Sequence, residues 1–274
     1  MLPEGSNRRG GTRRPAPRGT VPAVTSRDAA TLRRSLSLFR DFRVEQTDPD
    51  RFYRSLAADS VRQLSAYVPL EGRLLLDVGG GPGYFAEAFR GAGATYYAVD
   101  SDVGELSARG SPGPGTVLGS GMRLPVRDAA VDVCYSSNVL EHVAEPWRMA
   151  GEMVRITRPG GTIFLSFTSW LSPWGGHETA PWHYLGGGYA RRRYRRRHGR
   201  EPKNRFGESL FPVGVGEALR WARGCAEVSV LDAFPRYHPW WARPAVGVPG
   251  LREVLTWNLA LVLRRGTQAP GGRP

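Results

Sequence analysis

The chain has 274 residues and 41% apolar content, enough to bury one full-sized core or one core with an appendage. No apolar run approaches the ~18 residues needed to cross a bilayer, and the N-terminal arginines precede no apolar stretch of the kind a secretory signal requires. Most of the formal charge of +13 is local: residues 1–24 carry a net +4, the run RRRYRRRHGR at Arg191–Arg200 adds seven arginines, and what is left amounts to +2.

Residues 1–24, rich in Arg, Gly and Pro and without hydrophobic periodicity, are expected to be a disordered basic tail. Residues 25–72 are expected to form a helical cap. Thr25 or Ser26 is placed to cap a first helix reaching about Arg43, with Leu32, Leu36 and Phe39 facing the core. Asp48-Pro49 starts a second helix that runs to about Tyr67, with Phe52, Leu56, Val61, Leu64 and Val68 on its apolar side. Both are expected over the sheet edge and the ligand cleft.

From residue 73 to 266 the pattern is that of one α/β domain. Its strands are Leu74–Val78, Thr95–Val99 ending in Asp100, Thr116–Leu118, Val131–Ser136 and Thr162–Phe167. Helices begin at Tyr84 and Pro146, and Pro159-Gly160-Gly161 turns into the fifth strand. This alternation predicts a doubly wound, Rossmann-like sheet, mostly parallel, with helices on both faces. Residues 168–212 are an irregular insertion, long for a mere connection and therefore a substrate-side segment. Val213–Arg223 reads as a helix, Glu227–Leu231 as a sixth strand, and Glu253–Leu263 as a seventh, antiparallel and inserted beside the fifth. Residues 267–274 are expected to be a second disordered tail. Cys134 and Cys225 are too few and too far apart for a zinc site or a disulfide framework and read as reduced thiols.

The segment LLLDVGGGPGYF, Leu74 to Phe85, ends the first strand in an acid and a glycine turn. Gly81, Gly83 and Ala86 can be fitted to the G-x-G-x-x-G/A fingerprint of dinucleotide binders. Counted from the strand end, the register is instead Asp77-x-Gly79-x-Gly81-x-Gly83. An acid at that place repels a pyrophosphate and welcomes a cation. S-adenosylmethionine carries a sulfonium and an ammonium and no phosphate, so Asp77 points to it as the cofactor. Asp100, 23 residues on and ending the second strand, suits two ribose hydroxyls.

With these motifs in order, the chain resembles a class I S-adenosylmethionine-dependent methyltransferase of the type 11 group. DVGGGPGYF resembles its first motif and YYAVDSD its second. MRLPVRDAAVDVCYSSNVLEHV resembles the stretch from the adenine loop through the fourth strand, and RITRPGGTIFLSF the entry to the fifth. That similarity covers about Arg73 to Phe167. RRSLSLFRDFRVEQTDPDRFY, GGHETAPWHYLGG and FPRYHP further resemble an actinobacterial branch, mycobacterial members included, over roughly Thr31 to Leu263. The resemblance implies Asp77 and the turn carrying Gly79, Gly81 and Gly83 around the methionine part, Asp100 on the ribose, and Ser101 with Asp102 beside adenine. Met122 is implied against the adenine ring, and Ser137 and Asn138 beside the methyl group. Ser120, ahead of Gly121, stands where many relatives have an aspartate for the adenine amino group, and serine is the weaker acceptor. Glu141-His142 belongs to the "EHV" pattern and reads as structural.

Methyl transfer is an in-line displacement, so positioning supplies most of the catalysis, and a base is needed only for an acceptor that arrives protonated. His177 and His183 are the candidates for that role, with Glu178 and Tyr184 beside them. The two histidines have no evident third partner, so no metal site is expected. Trp174, Glu178, Trp182 and Tyr184 are candidates to contact the acceptor, although the aromatics equally suit packing onto the sheet. Arg191–Arg200 suits an anionic substrate, an anionic membrane surface, nucleic-acid phosphates or a solvated helix face. His238-Pro239-Trp240-Trp241 adds aromatics of interfacial character. Together these favour a small-molecule or lipid-like acceptor over RNA, for which no recognition module is visible; a non-catalytic S-adenosylmethionine-binding protein is the other alternative. The expected location is the cytoplasm, with peripheral contact at the inner membrane face.

Overall fold

Strands covered on both faces need apolar side chains at successive positions, and Leu75-Leu76 and Ile163-Phe164-Leu165 supply them. In the computed structural model, which describes residues 30–44, 47–110 and 112–267, these lie in β1 (Leu74–Val78) and β5 (Thr157–Thr168). Together with β2 (Thr95–Asp100), β3 (Thr116–Leu118), β4 (Val131–Ser137), β6 (Val228–Pro235) and β7 (Asn258–Arg265), they form a seven-stranded sheet of order β3-β2-β1-β4-β5-β7-β6. β1 to β5 run parallel, and β7 is antiparallel to both of its neighbours. This is the Rossmann-like sheet with an antiparallel last strand that the sequence predicts.

The helices are α1 (Leu32–Phe42), α2 (Pro49–Ser65), α3 (Tyr84–Gly91), α4 (Val103–Ser107), α5 (Pro146–Ile156), α6 (Gly187–His198), α7 (Val215–Gly224) and α8 (Leu251–Leu255). On one face of the sheet, Leu76, Cys134, Ile163 and Leu261 pack against Met149 and Met153 of α5 and Leu219 of α7. On the other, Leu75, Val133, Tyr135 and Phe164 pack against Leu56 and Leu64 of α2 and Phe89 of α3. Each such fully buried side chain contributes about 1.5–3 kcal/mol.

α2 starts where Asp48-Pro49 predicts, with Asp48 accepting the Arg51 N–H at 3.2 Å. α1 differs from expectation. Its cap is Thr31, which accepts the Arg34 N–H at 3.2 Å. The expected caps Thr25 and Ser26, the tail at 1–24 and all of the tail at 267–274 but Thr267 lie outside the described residues. Leu32, Leu36 and Phe39, expected in the core, are exposed. α1 buries Leu38 and Asp41 instead, because Arg34 turns the helix by pairing with Asp59 of α2 at 2.5 Å.

Two other expectations are corrected. The strand expected over Glu253–Leu263 begins only at Asn258; Glu253 lies in α8, where its carboxylate accepts the Val215 and Gly216 N–H groups, each at 2.8 Å, and so caps α7. The turn at Pro159-Gly160-Gly161 lies within β5 as a bulge, the register passing from Val131↔Thr157 to Val133↔Thr162. Residues 191–198 of the arginine run lie in α6, the helix that one reading of the run expects. No helix among the described residues is long and apolar enough to cross a membrane.

Candidate active site

The strand order reverses at β1, with β2 and β3 on one side and β4 and β5 on the other. Loops leaving the carboxyl ends of β1 and β4 therefore diverge and open a crevice. At its base the two loops touch. Gly79 sits at φ +80°, and a Cβ there would lie 2.4 Å from Val139 Cγ2, so a side chain has neither the backbone conformation nor the space. Two residues on, Gly81 at φ +50° donates its N–H to Asp100 Oδ2 at 2.9 Å. The Asp102 N–H donates to Asp100 Oδ1 at 2.9 Å. Asp100 thereby holds the turn against the end of β2, and each of its oxygens keeps acceptor capacity.

Asp77, 2% exposed, lies under this turn. Its register partner on β2 is Ala98, and Tyr96, two residues earlier, donates its phenol to Asp77 Oδ2 at 2.8 Å. Burial pushes the Asp77 carboxyl up to about 7; the Tyr96 hydrogen bond and the charge of Arg236 restrain that rise, and the charge of Asp100 adds to it. Around Gly81 and Gly83 the space a Cβ would enter is open to 4 Å. Two carboxylates, backbone N–H groups and open glycines form a donor and acceptor set for an ammonium, a sulfonium and a ribose, and S-adenosylmethionine fits it. A cleft of about 580 Å³ borders the outer side of the turn, between Gly81, Gly83, Arg90 and Arg109, and neither Asp77 nor Asn138 forms part of its wall.

On the side expected for adenine, Ser101 is exposed and Ser120 closes its own turn, its Oγ accepting the Met122 N–H at 3.2 Å. Gly121 lets the chain pass Met149, whose Sδ would be 3.2 Å from a Cβ, and Met122 is half-buried against the same core.

On the side expected for the methyl group, β4 ends in Ser137 and Asn138 follows it. Asn138 is held at φ +57°, its N–H bonded to Ser166 O at 2.9 Å. Its Oδ1 accepts from Asn258 Nδ2 at 2.7 Å, and its Nδ2 donates to Tyr237 Oη at 3.2 Å. Ser137 Oγ accepts from Arg236, a side chain with 0% exposure. The Arg236 guanidinium donates to Ser137 and Ser166 at 2.6 Å, Ser60 at 2.7 Å, Tyr135 at 3.0 Å and Gln63 at 3.3 Å. Every one of these acceptors is neutral. They come from α2, β4 and β5, so one arginine joins the helical cap to the strand ends. Arg236, Tyr237 and Asn258 lie outside the sequence-based expectations, and the FPRYHP motif, which holds the first two, is their signal in the sequence.

The insertion separates its candidates. His183 is buried, its Nε2 3.1 Å from Ser172 O, and burial lowers its pKa. A carbonyl only accepts, so Nε2 carries the proton and His183 ties the insertion to itself. His177 faces away from that pairing and meets His142, ring centroids 5.1 Å apart. Burial, aided by His142, pushes His177 down to about 4, so the ring is neutral at ordinary pH. Glu178 accepts from Asn204 Nδ2 at 3.0 Å. Trp182 lies under Arg193 of α6 at 3.9 Å, and Tyr184 donates to Leu171 O at 3.3 Å. Trp174 joins a different group: its ring lies 5.2 Å from Phe42, 6.3 Å from Phe39 and 6.0 Å from Trp257. Trp257 also meets His238 at 4.7 Å and directly precedes Asn258. Within α6, Arg191 pairs with Glu201 and Glu208, whereas Arg192, Arg196 and Arg197 are exposed.

Residues 76–165 match the family model described as a methyltransferase domain, type 11. An uncharacterized methyltransferase of Mycobacteroides abscessus is 54% identical over 259 residues, spanning 89% of this chain and 99% of that one. One of Mycobacterium tuberculosis H37Rv is 53% identical over 244 residues, spanning 85% and 95%. Among solved structures, an S-adenosylmethionine-dependent methyltransferase from Mesorhizobium loti superposes with a TM-score of 0.52 at 18% identity, over 76% of this chain and 98% of that one.

Proposed function

The chain belongs to the type 11 family of S-adenosylmethionine-dependent methyltransferases, and we propose that the acceptor of its methyl group is a small apolar or lipid-like molecule. The observation that carries this reading is the aromatic wall of Phe39, Trp174 and Trp257. It adjoins Asn258, whose side chain holds Asn138, and it continues into the exposed stripe Leu32, Leu36 and Phe39 of α1. Trp240, whose backbone N–H donates to Ala30 O at 2.8 Å, is exposed as well. Exposed apolar side chains beside a binding crevice suit a partner or substrate that is itself apolar.

In this reading Asp77 offers its carboxylate to the cationic methionine end, and the glycine turn lets backbone approach it. Asp100 accepts from the ribose, while Ser101, Ser120, Gly121 and Met122 border adenine. When bound, S-adenosylmethionine supplies a methyl group on a positively charged sulfur, ready for displacement. Ser137 and Asn138 hold the near side of that reacting space, fixed by Arg236, Tyr237 and Asn258. The acceptor lies along the aromatic wall, with Trp174 contacting it and Glu178, Trp182 and Tyr184 shaping the segment behind. His177 is the neutral ring available to an acceptor proton, and His183 keeps the insertion folded around it. The exposed arginines of α6 suit the headgroups of an anionic membrane surface.

The test is transfer of labelled methyl from S-adenosylmethionine into lipid, small-molecule and RNA fractions of an actinobacterial extract. Label in an apolar fraction is expected. Label confined to RNA or protein, or none in any fraction, refutes the acceptor reading.

A further inference from the structure

Three side chains near the reacting end of the crevice converge without completing one another's hydrogen bonds. Glu141 and His142 lie in the short turn after β4, Leu140–His142, and His177 opens the turn His177–Thr179 of the insertion. Each offers one oxygen or ring nitrogen, and the three atoms lie within 4.8 Å of one another. Glu141 is 1% exposed; its Oε1 accepts the Thr168 N–H at 2.9 Å, but its Oε2 is buried with no hydrogen-bond partner. His177 Nε2 is buried and unpartnered too. An imidazole beside a carboxylate would ordinarily close a direct hydrogen bond, because buried polar atoms left without a partner are costly. Here they stand apart, as ligands do on either side of an ion.

His142 is oriented in the manner of a ligand. Its Nδ1 lies 2.8 Å from Ser209 O. A carbonyl only accepts, so Nδ1 carries the proton and Nε2 carries the free lone pair. A backbone carbonyl that fixes the ring this way is the usual outer partner of a metal-binding histidine. On the other side, Asn204 Nδ2 donates to Glu178 Oε1 at 3.0 Å and stands 3.5 Å from His177 Nδ1, too far to fix which nitrogen of that ring carries the proton.

We propose that Glu141, His142 and His177 bind a divalent transition-metal ion of the zinc class. Two imidazoles and one carboxylate suit zinc, cobalt or iron, whereas magnesium and calcium require mostly oxygen ligands. Three protein ligands leave a fourth position for water or for a heteroatom of the acceptor, and with the ion bound His177 serves as a ligand and not as the base. The ion itself does not depend on the acceptor's identity. His183, six residues from His177, takes no part.

Tag-free full-length protein, stripped with a chelator and titrated with Co²⁺, tests this by visible absorption and by metal analysis after dialysis. One retained equivalent is expected, with the d–d bands of a four- or five-coordinate site, displaced by added Zn²⁺. His142→Ala and His177→Ala should each weaken Co²⁺ binding more than about tenfold, whereas His198→Ala, on the exposed end of α6, should retain the full equivalent. Glu141→Gln serves as a third variant if its melting curve matches the wild type. No retained cobalt in the wild type, or undiminished binding in folded His177→Ala, overturns the proposal. Metal content is read independently of turnover, so a mistaken acceptor does not affect the result.

Discussion

Tyr96 donates its phenol to the buried carboxylate of Asp77, Oη to Oδ2 at 2.8 Å, across the β1–β2 pair. That single bond is the direct hydrogen-bond compensation for an acid that burial has pushed up to about 7. Between the unfolded value near 4 and this folded value, the folded chain holds more protons than the unfolded one, so Asp77 makes stability fall as pH rises through that window. A cationic ligand has the opposite preference and favours the charged carboxylate. The affinity for S-adenosylmethionine is therefore expected to rise about tenfold between pH 6 and pH 8 and then level. Calorimetry on the wild type and on Asp77→Asn checks this; an equal slope in the variant would show that another group titrates.

Gly79→Ala should be strongly destabilising. The position combines φ +80° with a Cβ 2.4 Å from Val139 Cγ2. Left-handed strain of about 1–3 kcal/mol and overpacking of a similar size apply together. A thermal scan should show a melting temperature lower by several degrees, and the glycine turn should no longer bind S-adenosylhomocysteine at wild-type affinity. A variant that melts and binds like the wild type would mean the β1 and β4 loops are not in contact.

Arg236→Met should cost about 2–5 kcal/mol, because it leaves the hydroxyls of Ser60, Ser137, Ser166 and Tyr135 facing a thioether. Arg236→Lys keeps the charge but not the planar fork, so it should fall between Met and the wild type. Denaturant unfolding orders the three. Equal stability of Arg236→Met and wild type would show that the hydroxyls re-pair among themselves.

Leu36→Ser changes an exposed position of α1 and should leave the melting temperature within about 2 °C, since surface changes usually stay within ±0.5 kcal/mol, while Phe39→Ser also removes a ring from the Trp174 and Trp257 wall and should lower it further. Both should raise KM for an apolar acceptor while leaving the affinity for S-adenosylhomocysteine unchanged. An unaltered KM in both would remove α1 from the acceptor path.

The strands and the glycine turn were legible because their signals are local: apolar runs, Asp77 at a strand end, glycines at φ > 0, and a Pro-started helix at Asp48-Pro49. What escaped depends on long-range pairing. Leu32, Leu36 and Phe39 have core spacing, yet Arg34 turns α1 toward Asp59 and leaves them outside. Glu253 sits in a strand-like run but caps α7, 38 residues away. His177 has a histidine six residues on in sequence, but its spatial neighbour is His142, 35 residues earlier, which no spacing rule connects. Arg236 is a charged residue at a strand end, and the hydroxyls and the Gln63 amide oxygen that make its burial tolerable come from three other elements.

The measurement that bears most directly on the donor site is calorimetric binding of S-adenosylhomocysteine to the wild type and to Asp100→Ala. Asp100 holds Gly81 and Asp102 and keeps acceptor capacity for two hydroxyls. The expected result is micromolar-range binding by the wild type and a loss of at least about a hundredfold in the variant, roughly two charge-assisted hydrogen bonds, with the fold intact by circular dichroism. Undiminished affinity in a folded Asp100→Ala would contradict the placement of the donor over the β1–β2 ends.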